Sequence, residues 1–182
     1  MLGHGAGGGV DAGDLVAVTR SLTAAGWVVA RVEQPYRVRG RRTPDRAPVL
    51  DAAWLAVVAA LRRAHPGPLV VGGRSSGARV ACRTATAAGA AAVVCLAFPL
   101  RPPPRIRSGT GEPGREQPSR AGELALVECP LLVVQGERDP FGRPQDFPPG
   151  PTVIAVQGDH SLRRTAEVAA AVSSWLVAQR VA

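Results

Sequence analysis

Short apolar runs alternate with longer segments of helical periodicity along this chain. The pattern predicts strands at 27–32, 69–71, 92–97, 131–134 and 152–156, and helices at 12–25, 48–64, 78–88 and 163–179. In the last helix Val168, Val172, Trp175 and Leu176 recur at helical spacing, so they should face the core. This alternation favours a mostly parallel sheet with helices on both of its faces.

The segment 99–122 interrupts this regular order. It is rich in Pro, Arg and Gly and has no helical or strand periodicity, so we predict an irregular loop. Because it leaves the strand 92–97 at its carboxyl end, it should lie beside any site at that edge of the sheet. Two interpretations stay open, a lid and a disordered insertion. The length predicts a single domain spanning 1–182.

The most specific local pattern is Gly73-Arg-Ser-Ser-Gly77, a G-x-S-x-G between a predicted strand and a predicted helix. In that context the turn is sharp and presents the central hydroxyl, that of Ser75, at the carboxyl end of the strand. The backbone N–H of Ser76 is then expected to donate to an oxyanion at the amino-terminal end of the helix. The motif therefore predicts a nucleophilic serine at position 75.

Two later strands each lead into a loop that carries a polar candidate. Asp139 follows the strand 131–134, and His160 follows the strand 152–156. Carboxyl ends of parallel strands meet at one edge of a sheet, so Ser75, Asp139 and His160 should converge there. Ser75 is then the nucleophile, His160 the base and Asp139 the carboxylate that orients the imidazole.

Other histidines and carboxylates compete for these roles. His65 precedes the strand 69–71 and should lie at the opposite end of the sheet, and His4 is better suited to a structural hydrogen bond. The rival carboxylates are Glu137, Asp146 and Asp159, and Asp159 is better suited to bracing its loop because it adjoins His160. Asp11 and Asp14 near the first helix are interpreted as capping residues.

Taken together, these pieces resemble a small α/β-hydrolase without a large cap. More narrowly, the chain is similar to the dienelactone-hydrolase-like branch that includes the domain of the non-specific-lethal complex subunit 3. The segments that carry the resemblance are HGAGG at 4–8, QPY at 34–36, GGRSSGAR at 72–79, CLAFP at 95–99, QGERDPFG at 135–142 and GDH at 158–160. They extend over nearly the whole chain.

The resemblance implies a serine hydrolase that cleaves a small ester, thioester or lactone through a Ser-His-Asp triad and an acyl-enzyme. It implies a second oxyanion N–H near Ala6, in the HG-type loop, and no metal or organic cofactor. Tyr36, Arg74, Phe98 and Pro99 are expected to line the substrate pocket; Arg74 could equally pair with a surface carboxylate. The alternative is a catalytically weak hydrolase-like scaffold or a protein-interaction domain.

The beginning of the chain departs from this family pattern. Only Met1, Leu2 and Gly3 precede the HG-type loop, where the family has a central strand. Strands in proteins average about five or six residues, and unpaired backbone groups inside a sheet are costly. We therefore expect truncated amino-terminal strands, and a functional protein that begins upstream of Met1.

Composition adds few constraints on function. The net charge is +8 and all 22 basic residues are arginine, but they are interleaved with Pro and Gly and lack stacking aromatics. We therefore expect no specific nucleic-acid binding. No apolar run approaches the roughly 18 residues of a membrane span. The three cysteines have no metal-ligand spacing, which predicts free thiols and a cytoplasmic location.

Overall fold

The computed structural model describes residues 1–102 and 118–180. In this part of the chain six parallel strands form one sheet in the order β2-β1-β3-β4-β5-β6. The strands are β1 Leu2–Gly3, β2 Arg31–Val32, β3 Val70–Arg74, β4 Ala92–Leu96, β5 Leu131–Gly136 and β6 Thr152–Val156. The helices are α1 Gly13–Ala24, α2 Pro35–Val38, α3 Ala47–Ala64, α4 Ser76–Ala88, α5 Ala121–Ala125 and α6 Thr165–Ala178, with a 3₁₀ turn at Pro144–Asp146.

Helices cover both faces of the sheet, as the hydrophobic pattern predicts. Helices α3 and α4 pack on one face, and α1 packs against α6 on the other. In β5 the side chain of Val133 lies in the core between the sheet and helices α3 and α4, whereas those of Leu132 and Val134 lie in the core between the sheet and helices α1 and α6. This burial on both sides explains why the inner strands are continuous apolar runs rather than alternating ones.

The two strands at the β2 end of the sheet are short. The strand β1 is central, as expected, and its Leu2 pairs with Arg31 on one side and Gly72 on the other. The prediction of a strand over 27–32 was too long, because β1 offers a ladder partner to only two residues of β2. The N–H of Leu2 still donates to the carbonyl of Ala30, at 2.8 Å.

Sequence periodicity missed three short elements: α2, α5 and the 3₁₀ turn. Helix α5 begins at Ala121, so the segment predicted to be irregular ends in a helix, while 103–117 lies outside the described residues. Helix α5 is too short for a periodic signal and is held by tertiary contacts, through buried Leu124 and an ion pair from Glu123 to Arg79. No helix among the described residues is long and apolar enough to cross a membrane.

Candidate active site

Ser75 lies in the turn between β3 and α4 with a strained backbone. Its φ is 51° and its ψ is −108°, a conformation that non-glycine residues rarely adopt. Such a conformation costs on the order of 1–3 kcal/mol and persists only where the surrounding structure enforces it. The turn therefore holds the Ser75 hydroxyl out at the carboxyl end of β3.

The glycines of the motif are required by the close approach of β1. A Cβ on Gly73 would lie 2.4 Å from the carbonyl oxygen of Gly3, and a Cβ on Gly77 would lie 2.3 Å from the same atom. Both distances are shorter than any real Cβ contact, and the obstructing atom is backbone. The G-x-S-x-G pattern thus permits β3 and α4 to pack directly against the central strand.

Ser75, His160 and Asp139 converge at this edge of the sheet. The Oγ of Ser75 lies 3.1 Å from Nε2 of His160, and Nδ1 of His160 lies 2.7 Å from Oδ2 of Asp139. An ionised carboxylate can only accept hydrogen bonds, so Nδ1 of His160 carries the proton and donates a hydrogen bond to Asp139. Nε2 is then left with the lone pair that accepts from the Ser75 hydroxyl, which is the tautomer a general base requires.

The carboxylate of Asp139 is buried and fully hydrogen-bonded. Oδ1 accepts from the backbone N–H of Phe141 at 2.8 Å, and Oδ2 accepts from Nε2 of Gln135 at 2.8 Å as well as from His160. Gln135, at the end of β5, also donates to the carbonyl of Gly142. Sequence reasoning missed this role of Gln135; its position near the carboxyl end of a buried strand was the available signal.

The loop that carries His160 is held by Arg74, which is itself ion-paired with Asp14 of α1. Nη2 of Arg74 donates to the carbonyl of His160 at 2.9 Å, and Nε of Arg74 lies 2.8 Å from Oδ2 of Asp14. Burial raises the pKa of the Asp14 carboxyl, and the charge of Arg74 offsets part of that effect. Asp14 is not the N-cap residue of α1, but its Oδ1 accepts from the N–H of Leu15 in the first turn at 2.9 Å, so it serves that helix end as predicted while it also pairs with Arg74. Asp11 pairs with Arg31.

Two further contacts hold the His160 imidazole in place. The ring of Phe141 lies with its centroid 4.4 Å from that of His160 and covers one side of it. A Cβ on Gly136 would lie 2.4 Å from the carbonyl oxygen of Asp159, so the loops after β5 and β6 touch at a position that only glycine allows. These contacts bring Asp139 and His160 from two separate strands to one place.

The two backbone N–H groups predicted to hold an oxyanion have no acceptor among the described residues. Ser76 is the first residue of α4, where the helix provides no partner for its N–H, and Ala6 lies in the loop after β1. Ala6 and Ser76 both line the cavity that Ser75 borders. Both N–H groups thus have no acceptor among the described residues and belong to residues of the cavity wall.

The loop carrying Ala6 is braced by neutral, buried side chains. His4 is fully buried; its Nδ1 donates to the carbonyl of Gly5 at 2.8 Å, and its Nε2 accepts from the N–H of Gln34 at 3.0 Å. The hydroxyl of Tyr36 donates to the carbonyl of Ala6 at 3.0 Å. Both ring nitrogens of His4 are thus occupied, which agrees with the structural role expected for it.

Two residues predicted to line the pocket do not reach it. Tyr36 and Phe98 are both fully buried, and neither lines the cavity beside Ser75. The physical reason is that Tyr36 turns inward to hold the Ala6 carbonyl, and Phe98 packs in the core at the end of β4. Arg74 and Pro99 do line the cavity.

The rival residues fall outside the hydrogen-bonded set. Asp159 accepts from the N–H and hydroxyl of Ser161 and braces its own loop, as expected. Asp146 accepts from the N–H of Arg143 at the start of the 3₁₀ turn. Glu137 and His65 are exposed, and His65 lies at the amino-terminal end of β3, away from Ser75.

The site opens into a cavity of about 500 Å³. Ser75 and His160 lie in its wall with apolar groups from Ala6, Pro99 and Phe141. This volume accommodates a small organic molecule beside the hydroxyl. Among the described residues no group of three or more His, Cys, Asp or Glu side chains is arranged to hold a metal ion.

Solved structures share this fold. An α/β serine hydrolase without a lid from Xanthomonas campestris has a TM-score of 0.71 at 20% identity, covering 97% of this chain and 80% of that one. An α/β serine hydrolase homologue from Coxiella burnetii has a TM-score of 0.72 at 16% identity, with coverage of 97% and 85%. The esterase domain of a Rhodothermus marinus protein has a TM-score of 0.67 at 18% identity, with coverage of 98% and 84%.

Sequence comparison gives the family. A search of curated proteins finds no match. The family model described as "Alpha/beta hydrolase domain" matches residues 1–176, nearly the full length. With this match, and with a parallel sheet that carries the serine turn at the carboxyl end of a central strand, the chain belongs to the alpha/beta hydrolase domain family.

Proposed function

We propose that this chain is a serine hydrolase that cleaves a small carboxylic ester, thioester or lactone through an acyl-enzyme. One observation carries the proposal: Ser75, His160 and Asp139 form a continuous hydrogen-bonded chain in the wall of an open cavity. Family membership and the esterase domain among the structural neighbours support hydrolytic chemistry.

Acylation begins when Oγ of Ser75 attacks the carbonyl carbon of the substrate. His160 Nε2, 3.1 Å away, accepts the hydroxyl proton as the new C–O bond forms. Asp139 stabilises the resulting imidazolium through its bond to Nδ1. The carbonyl oxygen becomes an oxyanion and accepts hydrogen bonds from the N–H groups of Ala6 and Ser76.

Release follows from the same groups acting in reverse. The bond to the leaving group breaks, and His160 gives its proton to the departing oxygen or sulfur, so that an alcohol or thiol leaves. A water molecule then attacks the acyl-enzyme while His160 takes its proton. The ester bond to Ser75 breaks, Ser75 regains the proton from His160, and the carboxylic acid departs. One water is consumed per bond cleaved.

The finer family placement and the location form part of the same proposal. The pattern at 72–79 and 135–142 supports the dienelactone-hydrolase-like branch, and with it a small acyl substrate. A cytoplasmic location is supported by the free thiols of Cys82, Cys95 and Cys129, which suit a reducing compartment.

The test is hydrolysis of p-nitrophenyl acetate and butyrate by the wild type and by matched serine and histidine variants. Ser75→Ala and His160→Ala should each lower kcat by about 10³- to 10⁶-fold. Ser76→Ala keeps the backbone N–H, and His65 lies at the other end of the sheet. The kcat of Ser76→Ala and of His65→Ala should therefore stay within about threefold of the wild-type value.

The same experiment distinguishes a serine hydrolase from a catalytically weak hydrolase-like scaffold. If the wild type hydrolyses these esters no faster than Ser75→Ala does, the chain is a hydrolase-like scaffold and the proposal is wrong. Circular dichroism and melting temperature of each variant would establish that it is folded, so a loss of rate reports chemistry.

A further inference from the structure

The polar wall of the cavity beside Ser75 is dominated by arginine. Four guanidinium groups line it, those of Arg74, Arg79, Arg83 and Arg120. Arg79 and Arg83 project from α4, the helix that begins directly after Ser75, and Arg120 immediately precedes α5. Guanidinium is always charged at neutral pH, so the charge of this wall depends on which carboxylates accompany it.

Three of these arginines have carboxylate partners. Arg74 pairs with Asp14, and Arg83 pairs with Asp51 through two bonds of 2.6 and 2.9 Å. Arg79 makes two bonds to Glu123, of 2.6 and 2.8 Å, and Arg83 also reaches Glu123. Three carboxylates thus neutralise three guanidinium groups.

Arg120 is the exception within the described part of the chain. Its Nη1 donates to the carbonyl of Pro99 at 2.9 Å, and it makes no ion pair with a described carboxylate. Burial and the nearby charge of Arg79 lower the pKa of the Arg120 guanidinium, with Arg83 adding to the effect and Glu123 opposing it. Counted over the described residues, its positive charge therefore sits half-buried among like charges with no carboxylate paired to it.

One described carboxylate, that of Asp45, belongs to the cavity wall itself, and it does not compensate Arg120. Asp45 lines the cavity but already accepts hydrogen bonds from Arg39 and Arg41. Both of those arginines are half-exposed, so the group around Asp45 is itself positive in sum. Counted over the described residues, the surroundings of the cavity therefore carry more positive charge than their carboxylates balance, which matches a ligand that bears negative charge.

We propose that the substrate of this hydrolase carries a carboxylate besides the ester or thioester that is cleaved, and that Arg120 binds that carboxylate with Arg79 beside it. The proposal rests on the proposed function, because it places the scissile carbonyl at Ser75. The planar fork of arginine matches the two oxygens of a carboxylate, and the partly desolvated setting strengthens the bond.

The experiment compares esters that differ only in charge. Monophenyl adipate is tested against methyl phenyl adipate, which probes a carboxylate on the acyl side. Phenyl acetate bearing a 4-carboxylate on the ring is tested against its methyl ester, which probes the alcohol side. Phenol release gives kcat/KM for each, and the ratio of anionic to neutral substrate cancels intrinsic reactivity when variants are compared.

The variants are Arg120→Gln, Arg120→Lys and the control Arg101→Gln. Arg101 is an exposed neighbour that does not line the cavity, so its loss changes net charge equally. For one of the two ester pairs, Arg120→Gln should lower the ratio of kcat/KM for the anionic ester to kcat/KM for the neutral ester by about 10- to 100-fold, the usual scale for a charged hydrogen bond. Arg120→Lys should recover part of the ratio, and Arg101→Gln should keep it.

Several outcomes overturn the proposal. It is wrong if Arg120→Gln lowers both members of each pair equally, because Arg120 then only supports Pro99. It is also wrong if Arg101→Gln shifts the ratio as much as Arg120→Gln, since general charge then suffices. If the wild type cleaves no ester, the proposed function fails separately, and calorimetric binding of adipate to Ser75→Ala, with and without Arg120→Gln, still decides whether the anion site exists.

Discussion

The two sides of Ser75 are held in different ways. On one side the loop of Ala6 follows a strand of two residues and is braced by the neutral side chains of His4, Gln34 and Tyr36. On the other side the loops of Asp139 and His160 follow strands of six and five residues and are braced by charge.

The difference in bracing corresponds to the group that each side holds in place. The Ala6 side presents a backbone N–H, which needs the loop's position but no proton movement, so neutral hydrogen bonds suffice. In the proposed mechanism the His160 side stabilises an imidazolium that forms and disappears during each turnover, which requires the buried negative charge of Asp139. We therefore expect larger and more pH-dependent effects from changes on the charged side.

The largest effect is expected for Asp139→Asn. The amide can hold the imidazole in the wrong tautomer, so that Nε2 carries the proton and cannot accept one from Ser75. The expected loss in kcat on p-nitrophenyl butyrate is about 10⁴-fold. Asp159→Asn, one residue from His160 but bonded only to Ser161 on its own loop, is the control and should lose less than about threefold. Comparable losses for the two variants would transfer the acid role away from Asp139.

A second, smaller loss is expected for Arg74→Ala. Without its guanidinium the carbonyl of His160 loses a donor and the buried carboxylate of Asp14 loses its counter-ion. Displacement of the imidazole by a fraction of an ångström to 1 Å should lower kcat by up to about 100-fold. The unpaired Asp14 should lower the free energy of unfolding by about 3 kcal/mol.

Arg74→Lys separates the two consequences. It keeps the charge beside Asp14 but cannot reach both Asp14 and the His160 carbonyl with one planar fork. Urea unfolding should therefore find its stability largely restored while kcat stays reduced. Wild-type kcat in both Arg74 variants would mean that the His160 loop does not depend on this brace.

On the neutral side, Tyr36→Phe should have a modest effect. It removes the donor to the Ala6 carbonyl and leaves the ring packed in the core, which costs about 1 kcal/mol of stability. The loosened loop should lower kcat by less than about 10-fold, because the Ser76 N–H remains as an oxyanion donor. A loss in kcat larger than that of Arg74→Ala would reverse the ranking of the two sides.

The smallest effect is in the pH dependence of stability. Burial raises the pKa of Asp14 in the folded state, so its contribution is present below the unfolded pKa and is lost as pH rises through the folded pKa. The stability of the wild type relative to Asp14→Asn should therefore fall as pH rises from about 4, the ordinary Asp pKa. Relative to Tyr36→Phe it should stay constant between about pH 4 and 8, because neither side chain at that position titrates there. Urea unfolding at several pH values measures both differences, and a rising curve for Asp14 would contradict the assignment.

The contrast between the two sides also explains what could be predicted from sequence. Ser75, Asp139 and His160 were predicted because each follows an apolar strand, and because the G-x-S-x-G turn is a local pattern. The ion pair that supports the His160 loop was not predicted, because Arg74 and Asp14 come together from distant parts of the chain. Tyr36 was expected near the site and lies near it, but sequence does not show which way a side chain turns.

The strand boundaries follow the same rule. The strands 92–97, 131–134 and 152–156 were close to correct because burial on both faces gives an unbroken apolar run. The strand predicted at 27–32 is only Arg31–Val32 in the structure, because its length depends on how much of β1 lies beside it. Pairing with a distant segment is a tertiary property that local hydrophobicity does not encode.

The central claim, that Ser75 is a nucleophile activated by His160, is tested most directly by a fluorophosphonate probe and intact-mass spectrometry. We expect one covalent adduct on the wild type and on Ser76→Ala, located by peptide mapping at Ser75. We expect no adduct on folded Ser75→Ala and at least about 10³-fold slower labelling of His160→Ala. Equal labelling of Ser75→Ala, or an unlabelled wild type, would contradict it.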